Sequence, residues 1–467
     1  MLRSQLPTTA RAALTRPLAA CPTPPTRAFA TAAPTAAATP PASPAARDYK
    51  VVVIGGGTAG LTISHQLLRT GRFSTNDIAI IDPAIWHHYQ PGWTLVGGGL
   101  KNKDDLRRPL QGLLDAKLKF YNEGVRGFSP EHNAVTLGGS GDRIGYEHLV
   151  VAPGIQIDYG SVKGLPEALA DGDSMVSSIY GYDTCDKVFR TIEKVKSGEA
   201  IFTQPAGAIK CAGAPQKAMW LAWDFWNKAG LVSADRAASA IKTSFATATP
   251  TMFGVPKYSA RLDELRREKG IDALFQHDLV AVNDRRTATF ALQQVAADGG
   301  ANEVVELPFD LLHVVPKMGP HEFIKNSALA NDAGYVDVDA GTTRHTKYAN
   351  VWSAGDASSL PTSKTAAAVT AEAPVLVKNL LQVMEGKEPE SVYDGYTSCP
   401  LLTEYGKVML AEFKYGAEPK ETFNNWFGID QGTPRRAFYH LKKDFFPWVY
   451  YNSMVKGTWG GPKGWLK

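Results

Sequence analysis

Tyr49-Lys50-Val51-Val52-Val53-Ile54-Gly55-Gly56-Gly57-Thr58-Ala59-Gly60, followed by the helical run 61–68, decides the fold. Four successive apolar residues read as a strand buried on both faces, and the periodic residues after Gly60 read as a helix. Between them lies G-x-G-x-x-G in the strand–turn–helix setting that a dinucleotide requires. Gly55 permits the tight turn, Gly57 lets a pyrophosphate approach the backbone, and Gly60 lets helix and strand pack closely, with Thr58 and Ala59 at the helix start facing the phosphates. A second strand, Ile78-Ala79-Ile80-Ile81, ends in Asp82. An acid about 20 residues past the turn is placed to accept hydrogen bonds from an adenosine ribose. The chain is therefore expected to be α/β with a doubly wound dinucleotide-binding domain, the dinucleotide being NAD or FAD.

Two later segments bear on that choice. Leu149-Val150-Val151-Ala152-Pro153-Gly154 is an apolar strand closing on a turn, and Asn350-Val351-Trp352-Ser353-Ala354-Gly355-Asp356 is a strand ending in Gly-Asp. They resemble the accessory motifs of the two-dinucleotide-binding-domain, disulfide-reductase-like flavoproteins, with Pro153 standing where that family commonly has Thr. The resemblance implies FAD, with Gly154 at its turn and Asp356 hydrogen-bonded to the ribityl chain. The segment 360–369 then reads as a helix start whose free N–H groups and positive dipole end would face an anion or the electron-rich pyrimidine edge of a reduced flavin. Lys364 could assist there or be a solvated charge.

The middle of the chain is informative through a substitution. The strand Ala200-Ile201-Phe202-Thr203 leads not into a second G-x-G-x-x-G but into Gln204-Pro205-Ala206-Gly207-Ala208-Ile209-Lys210-Cys211-Ala212-Gly213-Ala214-Pro215, ahead of a helix over about 216–228. A nicotinamide is therefore a poor expectation for the electron donor. Cys211 and Cys399 both lie in segments punctuated by Gly and Pro. Inert buried thiols, a structural disulfide worth roughly 5 kcal/mol for so long a loop, and reactive thiols are all open readings. Lys210, next to Cys211, would favour a thiolate or be merely solvated. Cys185, in a polar run, has no such setting.

The segments 210–217, 361–368 and 393–400, together with Tyr89-Gln90-Pro91-Gly92-Trp93-Thr94-Leu95-Val96-Gly97 and the ending Trp459-Gly460-Gly461-Pro462, resemble the mitochondrial sulfide:quinone oxidoreductase family over essentially everything after residue 47. The resemblance implies an enzyme that oxidises hydrogen sulfide through a redox-active pair, here Cys211 and Cys399, and passes electrons through FAD to ubiquinone. The sulfane sulfur goes to a small acceptor such as glutathione, sulfite or cyanide. Cys399 would be the sulfur attacked and Cys211 the thiolate facing the flavin. It further implies FAD contacts at Gln90, Val125, Gly154, Asp356, Lys364 and Ala366. The expected organisation is an FAD-binding domain from 48–160 and 300–385, a second Rossmann-like domain without a nucleotide fingerprint over 161–299, and a C-terminal region 386–467. The rivals are a type II NADH:quinone oxidoreductase, which needs a nucleotide site in the middle domain and no cysteines, and a non-catalytic FAD-binding interaction protein.

Composition is consistent with that picture. The 467 residues are 44% hydrophobic and 21% charged, and a net charge of +4 is too small to indicate a nucleic-acid surface. Four cysteines without C-x-x-C or zinc-finger spacing exclude the usual structural metal sites, and no metal is expected. His87 and His88 read as surface residues. The first 47 residues carry five Arg and no Asp, Glu or Lys, so they read as a mitochondrial transit peptide; without those arginines the net charge is about −1. No stretch reaches the roughly 18–20 apolar residues that a membrane span needs. A quinone tail lies in lipid, however, and the aromatic and basic segment 438–459 suits the headgroup layer, with Leu441, Phe445, Phe446, Pro447, Trp448 and Val449 expected to contact lipid or quinone. The expected location is the inner membrane, peripherally bound. Oligomeric state stays open, a homo-oligomer among the alternatives.

Overall fold

A computed structural model describes residues 47–284, 286–293 and 303–461. The transit-peptide reading, apart from Arg47, and Pro462 of the terminal motif lie outside those residues. Among the described residues the fold is α/β, built around two largely parallel sheets. In the first, the strand Arg47–Ile54 is central, flanked in parallel by Ile78–Ile81 on one side and Arg143–Val151 on the other. All four residues of Ile78–Ile81 and the last four of Arg47–Ile54 are buried, as expected for a strand covered on both faces.

The strand Arg143–Val151 serves two neighbours. Its first residues take the antiparallel flap Ala134–Leu137, while Leu149, Val150 and Val151 pair in parallel with Val351, Trp352 and Ser353. That pairing brings the two accessory segments, some 200 residues apart, side by side on the edge facing the glycine turn. The helix Thr58–Arg69 and the long helix Ala366–Met384 pack against each other on one face of this sheet, where Leu61, Val369, Ala373 and Leu376 join one apolar cluster.

The second sheet orders Val176–Ser177, Leu311–His313, Gly198–Gln204, Ile241–Thr247 and Asp272–Phe275, all parallel. Leu311–His313 lies beyond the 161–299 bounds expected for the second domain, which need extending: the chain crosses back only after adding this strand beside Gly198–Gln204. The two crossings, Gln156–Asp158 and Lys317–Gly319, run antiparallel to each other as a paired strap. After the long helix comes the antiparallel pair Thr397–Glu404 and Lys407–Lys414, which packs on the helix Ala214–Lys228. The chain then turns through Arg436–His440 and two wide π-helical turns, Leu441–Phe445 and Tyr450–Met454. No helix of the described residues is long and apolar enough to cross a membrane.

Candidate functional site

One cavity of about 290 Å³ runs from the glycine turn past both accessory segments to the cysteines and the C-terminal turns. At its first wall the glycines divide the work expected of them. A Cβ on Gly60 would stand 1.8 Å from the Gly55 carbonyl oxygen, so this position is closed by the protein itself. A Cβ on Gly57 would meet nothing within 4 Å, leaving the turn open on the cavity side. Gly55, at φ +101°, turns the chain back beside Ala152. Asp82 accepts hydrogen bonds from Gly56 N at 2.6 Å and Ala84 N at 2.7 Å, and burial raises its pKa. Neither Asp82 nor Val125 borders the cavity; Thr58, Ala59, Gln90 and Gly154 do.

The second wall is the start of the long helix. Thr365 caps it by accepting from Ala368 N at 3.0 Å, which leaves Thr365, Ala366 and Ala367 against the cavity. Gly355 N donates to Glu372 Oε2 at 2.6 Å, and burial holds the Glu372 carboxyl up at about 7. Asp356 borders the cavity; burial raises its pKa against the pull of Lys364 and Lys210. Lys364 is no solvated charge. Its Nζ donates to Ser358 O at 3.0 Å and lies 4.3 Å from the centre of the Tyr335 ring.

The sulfurs form the third wall. Cys211 Sγ and Cys399 Sγ stand 3.2 Å apart. Cys211 sits in the left-handed region at φ 54°, a conformation costing a non-glycine residue about 1 kcal/mol or more. It is held there by Cys211 N donating to Lys364 O at 2.8 Å and Ala214 N donating to Cys211 O at 2.7 Å. Cys399 arrives on the strand Thr397–Glu404, and Gly213 makes room for it: a Cβ there would lie 2.5 Å from Cys399 Sγ. The cation beside the pair is Lys217, whose Nζ is 3.3 Å from Cys211 Sγ. That corrects the role offered to Lys210, whose Nζ instead donates to Gln90 Oε1 at 2.8 Å, because the loop reverses direction at Cys211. The hydrogen bond from Cys399, then Lys217 and Lys442, hold the Cys211 thiol well below its ordinary range. The same hydrogen bond, with burial, holds Cys399 well above it. The ammonium of Lys217 against Cys211 Sγ favours the negative charge of the pair on Cys211. Lys217 sits in the sequence run 210–217 without standing out; its signal is a lysine in the first turn of a helix that begins just after a cysteine.

The C-terminal turns close the fourth wall and divide the expected lipid-contacting group. Phe446 and Val449 border the cavity, Leu441 packs with Leu95 and Leu221, and Phe445 and Pro447 are half-buried. Trp448 alone of the six is largely exposed, at 61%. Lys442, one of the basic residues expected to flank the headgroup layer, is instead only 3% exposed and borders the cavity. Burial and Lys217 push its pKa down to about 7. Tyr450, one of the aromatics of the segment expected in the headgroup layer, is buried as well. Its hydroxyl lies 2.7 Å from Thr58 Oγ1 and 2.8 Å from His87 Nε2, while His87 Nδ1 is 2.9 Å from Gly56 O. His87 is thus buried and not a surface residue, and burial lowers its pKa to about 4. Cys185 is buried away from these walls, its thiol pushed up to about 12 by burial.

The model of the family described as pyridine nucleotide-disulphide oxidoreductase matches residues 49–373. The mitochondrial sulfide:quinone oxidoreductase of Schizosaccharomyces pombe is 46% identical over 441 residues, covering 90% of this chain and 93% of that protein. The mitochondrial sulfide:quinone oxidoreductase of Dictyostelium discoideum is 43% identical, covering 88% and 87%. Among solved structures, the sulfide:quinone oxidoreductase of Aquifex aeolicus superposes with a TM-score of 0.67 at 17% identity, covering 87% of this chain and 92% of that one, a likeness of fold.

Proposed function

This chain belongs to the pyridine nucleotide-disulphide oxidoreductase family, and we propose that it is an FAD-dependent mitochondrial sulfide:quinone oxidoreductase working through Cys211 and Cys399. The observation that carries the reading is the 3.2 Å approach of two cysteines 188 residues apart in sequence, with a buried ammonium on one of them. The residues present fit FAD. Gly57 leaves an open cradle at a helix start, Asp356 offers a half-buried carboxylate, and the capped start of the long helix faces the same cavity. Gly57, Thr58, Ala59, Gly154, Asp356, Lys364 and Ala366 would hold the cofactor, with Gln90 at the cavity edge.

The sulfur chemistry follows from the two environments. In the oxidised form the cysteines share a bond, and hydrosulfide attacks Cys399 Sγ. The bond breaks, the new sulfur stays on Cys399 as a persulfide, and Cys211 leaves as a thiolate opposite Lys217. A good leaving group is one whose anion is stabilised, and Cys211 is the member of the pair so placed. A small nucleophile then takes the outer sulfur, leaving a second thiolate on Cys399. The bond between the cysteines re-forms as two electrons depart. FAD held by these residues would supply a two-electron acceptor for that pair, one able to reduce a quinone. The cysteine-bearing loop, standing where a nicotinamide-binding domain carries its phosphate glycines, favours this reading over NADH oxidation.

Delivery of electrons to a lipid-soluble quinone supports peripheral attachment to the inner membrane, with exposed Trp448 and the neighbouring Phe445 as contacts. The test is anaerobic mixing of purified protein with sulfide and then a short-chain ubiquinone. The flavin absorbance is expected to bleach with sulfide and return with quinone; bleaching by NADH and not by sulfide would overturn the assignment.

A further inference from the structure

Glu372 lies two turns into the long helix Ala366–Met384, on the face that carries the cap Thr365, and is 2% exposed. A buried carboxylate is costly unless it is paired and hydrogen-bonded. Gly355 N donates to its Oε2 at 2.6 Å. The Tyr393 hydroxyl also faces the carboxyl, yet it donates its proton to Tyr396 O at 2.8 Å and so presents a lone pair on the Glu372 side. The other titratable groups facing Glu372 are Asp356, Lys364 and Tyr415. Burial raises the pKa of both tyrosines, which stay neutral. Lys364 is thus the cation that faces both carboxyls, and Asp356 has Lys210 besides.

What Glu372 holds is the turn that offers Asp356 to the cavity. Gly355, at φ +69°, sits between two helices: a Cβ there would stand 3.2 Å from Ala59 Cβ at the start of Thr58–Arg69. Asp356 borders the cavity, and Glu372 stands behind the turn, outside the lining. A negative charge gained in the cavity acts on both carboxyls through a low-dielectric cluster, and a like charge disfavours a carboxylate. Asp356, with two lysines, keeps its charge the more readily. Glu372, which burial already holds up at about 7, is the member that yields.

We propose that Glu372 is a positioning residue of the FAD site, holding the Gly355–Asp356 turn through Gly355 N and taking up a proton when the bound flavin is reduced. The inference rests on the FAD site of the proposed function and not on sulfide as the donor. Two-electron reduction adds one proton and one negative charge to a flavin, and the further proton on Glu372 cancels that charge within the cluster. The electrons come from the re-forming bond between the cysteines and the proton from solvent; both leave again when quinone removes the electrons. The carbonyl oxygen of the neutral acid still accepts from Gly355 N, so the turn stays held in both states.

The test is the flavin midpoint potential of the FAD-loaded protein as a function of pH, read at the flavin absorbance, in wild type and in Glu372→Gln. The Gln side chain keeps an acceptor for Gly355 N and removes the titration. The two potentials should lie close together below about pH 6, where Glu372 is protonated in either oxidation state, and separate as the pH rises. The wild type should be the lower, its reduction disfavoured about tenfold near pH 9, which is about 30 mV for a two-electron couple. A separation that does not grow with pH, or a variant lower than wild type, overturns the proposal. Glu372→Ala, which removes the acceptor, should bind FAD several-fold more weakly; unchanged affinity overturns the positioning role. Should Glu372→Gln lose its flavin, proton uptake by the wild-type protein decides: at pH 8, uptake of one proton and no more per two electrons overturns the proposal. A protein that shows the pH-dependent separation but oxidises no sulfide would keep the role of Glu372 and lose the proposed function.

Discussion

The glycine turn after Arg47–Ile54 and the cysteine loop after Gly198–Gln204 occupy the same place in two halves of like design: each follows a central parallel strand and opens a helix. The first keeps that place empty, with Gly57 facing open space. The second fills it with Cys211, strained at φ 54°, and with Gly213 giving up its side-chain volume to Cys399. A helix N-terminus favours a negative charge in both cases. In one it faces a place for phosphate, in the other a thiolate. The architecture thus supplies two anion-binding ends, and the residues in the loop decide whether the anion is brought in by a ligand or built into the chain.

The comparison can be broken most directly at the sulfurs. Cys211→Ser and Cys399→Ser are each expected to lower sulfide-dependent quinone reduction by at least about a thousandfold, with the flavin absorbance of the purified protein retained; loss of flavin in either would mean that the two loops are not separable. Next come the two glycines. Gly213→Ala forces a Cβ to within 2.5 Å of Cys399 Sγ and 2.4 Å of a Leu401 methyl, so turnover should fall by roughly a hundredfold, the size of a misplacement near 1 Å, with the thermal midpoint lowered as well. Gly57→Ala should leave the apoprotein's stability within about 0.5 kcal/mol while weakening FAD binding, as read by calorimetric unfolding and flavin fluorescence titration.

A smaller effect is expected from Lys217→Met. Lys217 is one of the groups that lower the Cys211 pKa, so its removal shifts the titration upward. Iodoacetamide should then react more slowly with Cys211 at neutral pH and approach the wild-type rate as the pH rises, and a downward shift would reverse the assignment of the thiolate. The smallest effect concerns the C-terminal latch on the glycine turn. Tyr450→Phe removes the hydroxyl shared by Thr58 and His87, with an expected cost of about 1–2 kcal/mol in thermal unfolding and a few-fold weaker FAD binding.

Much of this was legible in local pattern. The run 49–60 specifies strand, turn and helix through residues that are neighbours in the chain, and the observed helix begins at Thr58, three residues ahead of the expected Leu61. The strands at 149–151 and 351–353 are short apolar runs ending in turns, and each forms where the pattern puts it. Lys217, Lys442, Tyr450 and His87 were not legible in the same way. A lysine in a helix or a histidine beside a strand carries no mark of burial, since what buries Lys442 is a π-helical turn folded over a helix more than two hundred residues earlier. The misassigned Lys210 shows the same limit: adjacency in sequence suggested a contact that the reversal of the loop at Cys211 takes away.

The sequence by itself determined the two halves of the fold, the glycine cradle and the identity of the two cysteines, because each depends on periodicity and spacing within a few residues or on motifs quoted whole. Only the tertiary structure decided which cation faces which sulfur, and that the C-terminal turns reach back to the sulfur cavity and the glycine turn. Charge stabilisation falls steeply with distance and with access to water, and neither distance nor burial is written in the order of residues along a chain.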